Sequence, residues 1–131
     1  MATLKQVRDG LATNLSSLTS SMQVYRFRPK DPKFPCAMIG WPDALDLSPA
    51  QDGVTRSITL EVAVAVVWGD DESTNDSLST LFESTAAALL SDRTLGGSVG
   101  DIWLGAATFP LVSADDGRTW QECRIPVTVY A

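Results

Sequence analysis

The chain of 131 residues contains no histidine. Histidine is the commonest general base at neutral pH and a frequent metal ligand, so its absence removes the usual routes to acid–base and metal chemistry. It also leaves any serine nucleophile without the base that activates it. Cysteine is scarce. Cys36 and Cys123 lie far apart and are too few for a zinc site. Two readings of the pair stand: buried reduced thiols on separate strands, or a disulfide if those strands are neighbours. No apolar run approaches the roughly 18–20 residues of a membrane span. The opening MATLKQVRDG lacks the apolar core of a signal peptide. Synthesis and folding in a cytoplasm is the expectation.

Basic charge is also short: ten Lys and Arg stand against sixteen Asp and Glu, a net charge of −6. The imbalance is uneven. Residues 1–33 hold six basic side chains against Asp9 and Asp31, and the rest of the chain holds four basic against fourteen acidic. A tight nucleic-acid binder needs a basic face for phosphates, and only the RFRPK segment qualifies. That segment reads either as a solvated strand end or as a docking surface, carried by Arg26, Arg28 and Lys30, for an acidic partner such as another copy.

What is present is a set of periodic segments of a single domain. Leu4, Val7, Leu11, Leu15 and Leu18 recur at helical spacing, and Thr3 with Gln6 fits a capping box, so 3–18 reads as an amphipathic helix. Gly10 weakens it by about 1 kcal/mol relative to alanine. Residues 23–27 form a short strand, and the prolines at 29, 32 and 35 make 28–35 an irregular crossing. A strand over 36–41 is stopped by Gly40 and Pro42, and PDALDLSPAQDG reads as a polar loop.

GVTRSITLEVAVAVVWGDD follows, with a strand from Thr55 to Trp68. At roughly 3.3 Å per residue it would stretch roughly 45 Å, more than the domain needs, so part of it should lie along a partner or stand out from the body. Ile58, Leu60, Val62, Val64, Val66 and Trp68 share one face; Thr59, Glu61, Ala63, Ala65 and Val67 share a smaller, mixed one. Such a strand is usually central in its sheet. GDDESTND is an acidic turn in which Ser73 or Thr74 caps a second helix, buried through Leu78, Leu81, Phe82, Thr85, Ala88 and Leu89. A glycine-rich exit leads to one strand or a pair of short strands over 102–112. Asp116-Gly117 marks a hairpin turn, and 120–130 closes the chain as a strand in which Pro126 suggests an edge or a bulge.

The order α, β, β, β, α, β, β predicts an α+β fold of two layers: a mostly antiparallel mixed sheet of four or five strands, two helices on one face, and a long strand or hairpin extending from the body. Chemistry is thin. The carboxylates cluster in loops where water keeps them ordinary, except Glu61, which falls within the long strand and reads as solvated or ion-paired. GGSVGD follows a helix and precedes a strand, the reverse of a phosphate loop. DDESTND has oxygen density but lacks the glycine and distal glutamate of a calcium loop. No catalytic, cofactor-binding or metal-ligating residue is assigned, and an enzyme is the least supported class. Trp41, Trp68, Trp103 and Trp120 fall at strand ends or turns, as core rims or as interface anchors.

VYRFRPKDPKFPCAMIGWPD, ITLEVAVAVVWGDDESTNDSLSTLFESTAAALL and the closing QECRIPVTVYA, taken in order, resemble the tail-terminator and tail-completion proteins of long-tailed bacteriophages (siphophages), in particular those of phages of actinobacteria. The resemblance covers nearly the whole chain and rests on element order, length and texture; no motif carries over a binding residue. It implies a virion structural protein of the neck, without catalytic residues or cofactor, assembled in the host cytoplasm. Its partners would be itself, as a homohexameric ring, the tail tube protein whose polymerisation it stops, and the head-side connector or stopper. Genomic DNA would pass through the lumen without specific binding. Within that picture Arg26, Arg28, Lys30, Val62, Val64 and Trp68 are candidate subunit-interface residues. Asp70, Asp71, Glu72, Asp115 and Asp116 are candidate lumen-facing acids. Another head–tail connector subunit, or a small monomeric binding domain, are the alternatives.

Overall fold

A capped amphipathic helix begins the computed structural model, which describes residues 3–46, 57–69, 71–113 and 117–130, with backbone alone for 41–46 and Asp71. Helix α1 spans Leu4–Leu15. The Thr3 hydroxyl accepts from the Gln6 amide at 3.2 Å, and the Gln6 side-chain oxygen accepts from the Thr3 amide at 2.8 Å. Both donors would otherwise be orphaned at the helix start. Val7, Leu11 and Leu15 form the buried stripe, and a 3₁₀ turn over Ser16–Leu18 ends the segment.

Strands β1 (Gln23–Tyr25), β2 (Cys36–Asp46), β3 (Ser57–Val67), β4 (Asp101–Leu104), β5 (Leu111–Ser113) and β6 (Thr119–Tyr130) form one sheet, with helix α2 (Asp71–Leu89) between β3 and β4. The order is β1-β2-β3-β6-β4, with β5 also on β6. Strand β1 runs parallel to β2, and every other pairing is antiparallel. This is the mixed, mostly antiparallel α+β fold expected, with six strands where four or five were read.

The long strand is central, as its two faces imply, but its length has an internal explanation. Strand β3 is matched residue for residue by β6, from Ser57↔Tyr130 to Val67↔Trp120. On its other edge β2 follows it down to Asp46↔Ser57. The described length of β3 is thus paired within the chain. Residues 47–56, which include Thr55 and most of the expected polar loop, lie outside the described residues, and with them the expected extension of the strand or hairpin. Strand β2 corrects the expectation of a stop at Pro42. It continues to Asp46, absorbing the Gly40–Trp41–Pro42 interruption as two register shifts between Ile39 and Ala44.

Pro126 also sits differently from its reading as an edge residue, because β6 is paired on both sides. The Pro126 carbonyl accepts from the Gly105 amide at 2.8 Å, so its missing donor faces the stretch just beyond the end of β4. Proline occupies a gap in the ladder on that edge, between β4 and the Thr108↔Arg124 bridge.

Ile58, Leu60, Val62, Val64 and Val66 of β3 join Ala37, Ile39, Cys123, Ile125, Val127 and Val129 under both helices. Burying each such aliphatic side chain contributes roughly 1.5–3 kcal/mol. Asn14 ties the two helices: its side-chain amide donates to the Leu89 carbonyl, left open at the end of α2, and to the Asp92 carbonyl just beyond it, each at 2.9 Å. The opposite face is half covered. There Cys36, Met38, Ala63, Ala65 and Trp120 make a second cluster beneath Tyr25, Phe34 and Val112, with the Phe34 and Trp120 rings 5.2 Å apart. No described helix is long and apolar enough to cross a membrane.

Candidate functional site

The proline-rich crossing roofs one end of the helix-free face, and beneath it lies the one fully buried carboxylate among the described residues, Glu122. Arg28, from the crossing, donates to Glu122 Oε1. Trp120 Nε1 donates to the same oxygen at 3.0 Å, and Arg124 Nε donates to Oε2 at 2.9 Å. Burial pushes the Glu122 pKa up, but the bonds from Trp120, Arg124 and Arg28 outweigh it and hold the carboxyl below the usual glutamate value. A carboxylate so saturated with donors is a structural lock. Sequence reasoning missed it, because Glu122 and Arg124 fall on the outward stripe of β6. Glu61, the position that reasoning singled out, is half-buried opposite Pro126.

The basic segment divides. Arg28 belongs to the lock, Arg26 Nη1 pairs with Asp9 Oδ1 at 2.7 Å, and Lys30 is exposed. Asp9 also receives Lys5 at 2.9 Å; the bonds from Lys5 and then Arg26 hold its carboxyl below the usual range. Val62 and Val64 correct their reading as interface residues: both are completely buried under the helices and present no surface to another copy. Their stripe faces the helix layer because β3 is central. Trp68 lies just past the end of β3 and is exposed, whereas Trp120 is buried. Trp103 is 59% exposed, its indole N–H donating to Asp101 at 3.0 Å. The Trp41 side chain is outside the described residues.

Of the acidic loop positions, Glu72 is exposed in the first turn of α2. Asp70, Asp115, Asp116 and the side chain of Asp71 lie outside the described residues. Thr74 is not a simple cap. It is buried within the first turns of α2, and its hydroxyl accepts from the Gly69 amide at 2.9 Å, closing the turn between β3 and the helix. The glycine-rich exit leads from α2 to β4 as expected. Asp92 organises it, accepting from Thr94 and from the Gly96 amide at 2.8 Å. The two cysteines are resolved as buried free thiols. Cys36 pairs across from Ala65 and Cys123 from Val64, so they lie on opposite faces of the sheet with β3 between them.

Among the described residues no group of three or more acidic or thiol side chains is arranged to hold a metal ion. Surface features remain. A groove of about 610 Å³ runs between α2 and the Phe34–Pro35 connection, walled by Phe34, Pro35, Val67 and Leu81 and lipped by Asp76 and Thr80. At the other edge of the sheet, β4 and β5 pair only with β6 among the described residues; the Ile102 amide donates to Asp101 Oδ1 at 2.9 Å and its carbonyl accepts from Arg93 at 3.1 Å, and Trp103, Phe109 and Leu111 are exposed nearby. Phe27 and Val67 are 59% and 63% exposed. Compared with protein-family models the chain matches none, and no curated protein matches it.

Proposed function

We propose that this chain is a virion structural protein of a long-tailed phage: copies close into a ring, hexameric on the resemblance, that caps the tail tube, stops its polymerisation and offers an attachment surface to the head-side connector. The observation that carries the reading is the β4–β5 edge. Beyond Ile102, whose amide and carbonyl Asp101 and Arg93 occupy, it has no further strand neighbour among the described residues, and Trp103, Phe109 and Leu111 are exposed there. An open edge with apolar side chains is a template for another chain unless it is covered. The net charge of −6 supports the passage of DNA through such a ring without adhesion. In this reading exposed acids, Glu72 among them, face the lumen.

The groove beside α2 favours a second reading, a monomeric binding domain, because an apolar-walled recess of this size also suits a ligand. Electron micrographs of tails made without this chain separate the readings. Overlong, ragged tubes support termination. Tails of normal length that lack heads assign the chain to another neck subunit, and unaltered particles leave the binding domain.

A further inference from the structure

Resting on the ring reading, we propose that neighbouring copies join by a knob and groove: Phe27 of one copy, flanked by Arg26 and Lys30, enters the groove between α2 and Phe34–Pro35 of the next. The groove supplies apolar walls in Phe34, Pro35, Val67 and Leu81. The one charged side chain on its helical lip, beside the hydroxyls of Ser77 and Thr80, is acidic. Helix α2 carries Asp71, Glu72, Asp76 and Glu83 and no lysine or arginine, and of these Asp76 lines the groove. An apolar slot with an acidic lip selects an apolar side chain that has cations beside it.

The chain contains such a segment. Phe27 is 59% exposed and does not line the groove of its own chain; it borders a separate recess with Leu4 and Arg8. Lys30 is exposed, and Arg26 is held only by the exposed Asp9 pair, worth little in water. The knob is also fixed in place. Tyr25 lies in β1 on one side of it, and Arg28 is anchored to buried Glu122 on the other. A side chain presented on a pinned segment loses little freedom when it docks. The Glu122 lock thereby acquires a purpose, to hold the knob out. Because knob and groove are different surfaces, the contact is head-to-tail, the kind that closes into rings.

The test uses the full chain with a photo-crosslinking phenylalanine analogue at position 27, and the variants Phe27→Asp, Asp76→Lys and Thr80→Trp, whose parent side chains are all exposed. Cross-links should run from position 27 to Phe34–Pro35 or to the first turns of α2 in a second copy. Phe27→Asp should weaken self-association roughly thirtyfold, as loss of an aromatic anchor does, and Asp76→Lys should weaken it more at low salt than at high salt. Mixing Phe27→Asp with the groove-filling Thr80→Trp should give dimers and nothing larger, since each such pair retains one working joint. Oligomers whose mass ignores Phe27→Asp and Thr80→Trp overturn the joint and leave ring assembly standing. A chain that stays monomeric at millimolar concentration and on tail tubes, with no cross-link from position 27, overturns both.

Discussion

Arg28 reaches over the helix-free face of the sheet to Glu122, 94 residues later in the chain. The Arg28 side chain keeps 41% of its surface in water while that of Glu122 has none. The two ends of this bond should therefore respond unequally to mutation. Glu122→Leu leaves Arg124 and the Trp120 N–H without their acceptor in a buried site, and should cost about 2–4 kcal/mol. Arg28→Ala leaves Trp120 and Arg124 still bonded to the carboxylate and should cost about 1 kcal/mol. Urea midpoints of the two variants check the order.

The same carboxylate predicts how stability depends on acid. Its folded pKa lies below the unfolded value, so it contributes stability above that unfolded value, about 4.3. The contribution is lost as the pH falls through the depressed folded pKa. Wild type should therefore lose more stability than Glu122→Gln on going from pH 6 to below about pH 4. Thermal unfolding of both proteins across that range should show their midpoints converging in acid.

Burial pushes the Cys36 thiol up to about 12 and the Cys123 thiol up to about 11. Both stay protonated near neutrality and react poorly. Placed on opposite faces with a strand between them, they cannot bridge. A colorimetric thiol reagent should find almost no reactive thiol in the native protein and two per chain in denaturant. Mobility on a denaturing gel should not change with reductant.

Gly10 sits inside α1 because a side chain there would meet Leu95. A Cβ at position 10 would lie 2.8 Å from the Leu95 Cβ, and Leu95 is buried with a positive φ of 50°. Gly10→Ala should destabilise by about 1–3 kcal/mol despite the better helix propensity of alanine. A calorimetric midpoint checks the sign.

The sequence made regular elements legible where one face is buried against one neighbour. The four-residue spacing from Val7 to Leu15, the alternation through β3 and that through β6 each follow from a half-buried surface. Strand β2 was less legible, since a proline and a glycine mark a stop from local propensity while the paired edge of β3 carries the strand past them. The lock at Glu122 was not legible at all. The alternation in β6 places it outward, and what buries it is an irregular proline-rich crossing nearly a hundred residues earlier. No periodic pattern encodes a roof made of loop. Val62 and Val64 show the converse, since a strong apolar stripe marks burial without saying whether the cover is this chain or another.

Negative-stain micrographs of tail-tube protein polymerising with and without the purified chain test the central claim most directly. Copies that assemble into a cap should leave tubes that stop growing, each with a ring at one end. Tubes that lengthen equally in both cases, with the chain remaining free and monomeric, would contradict it.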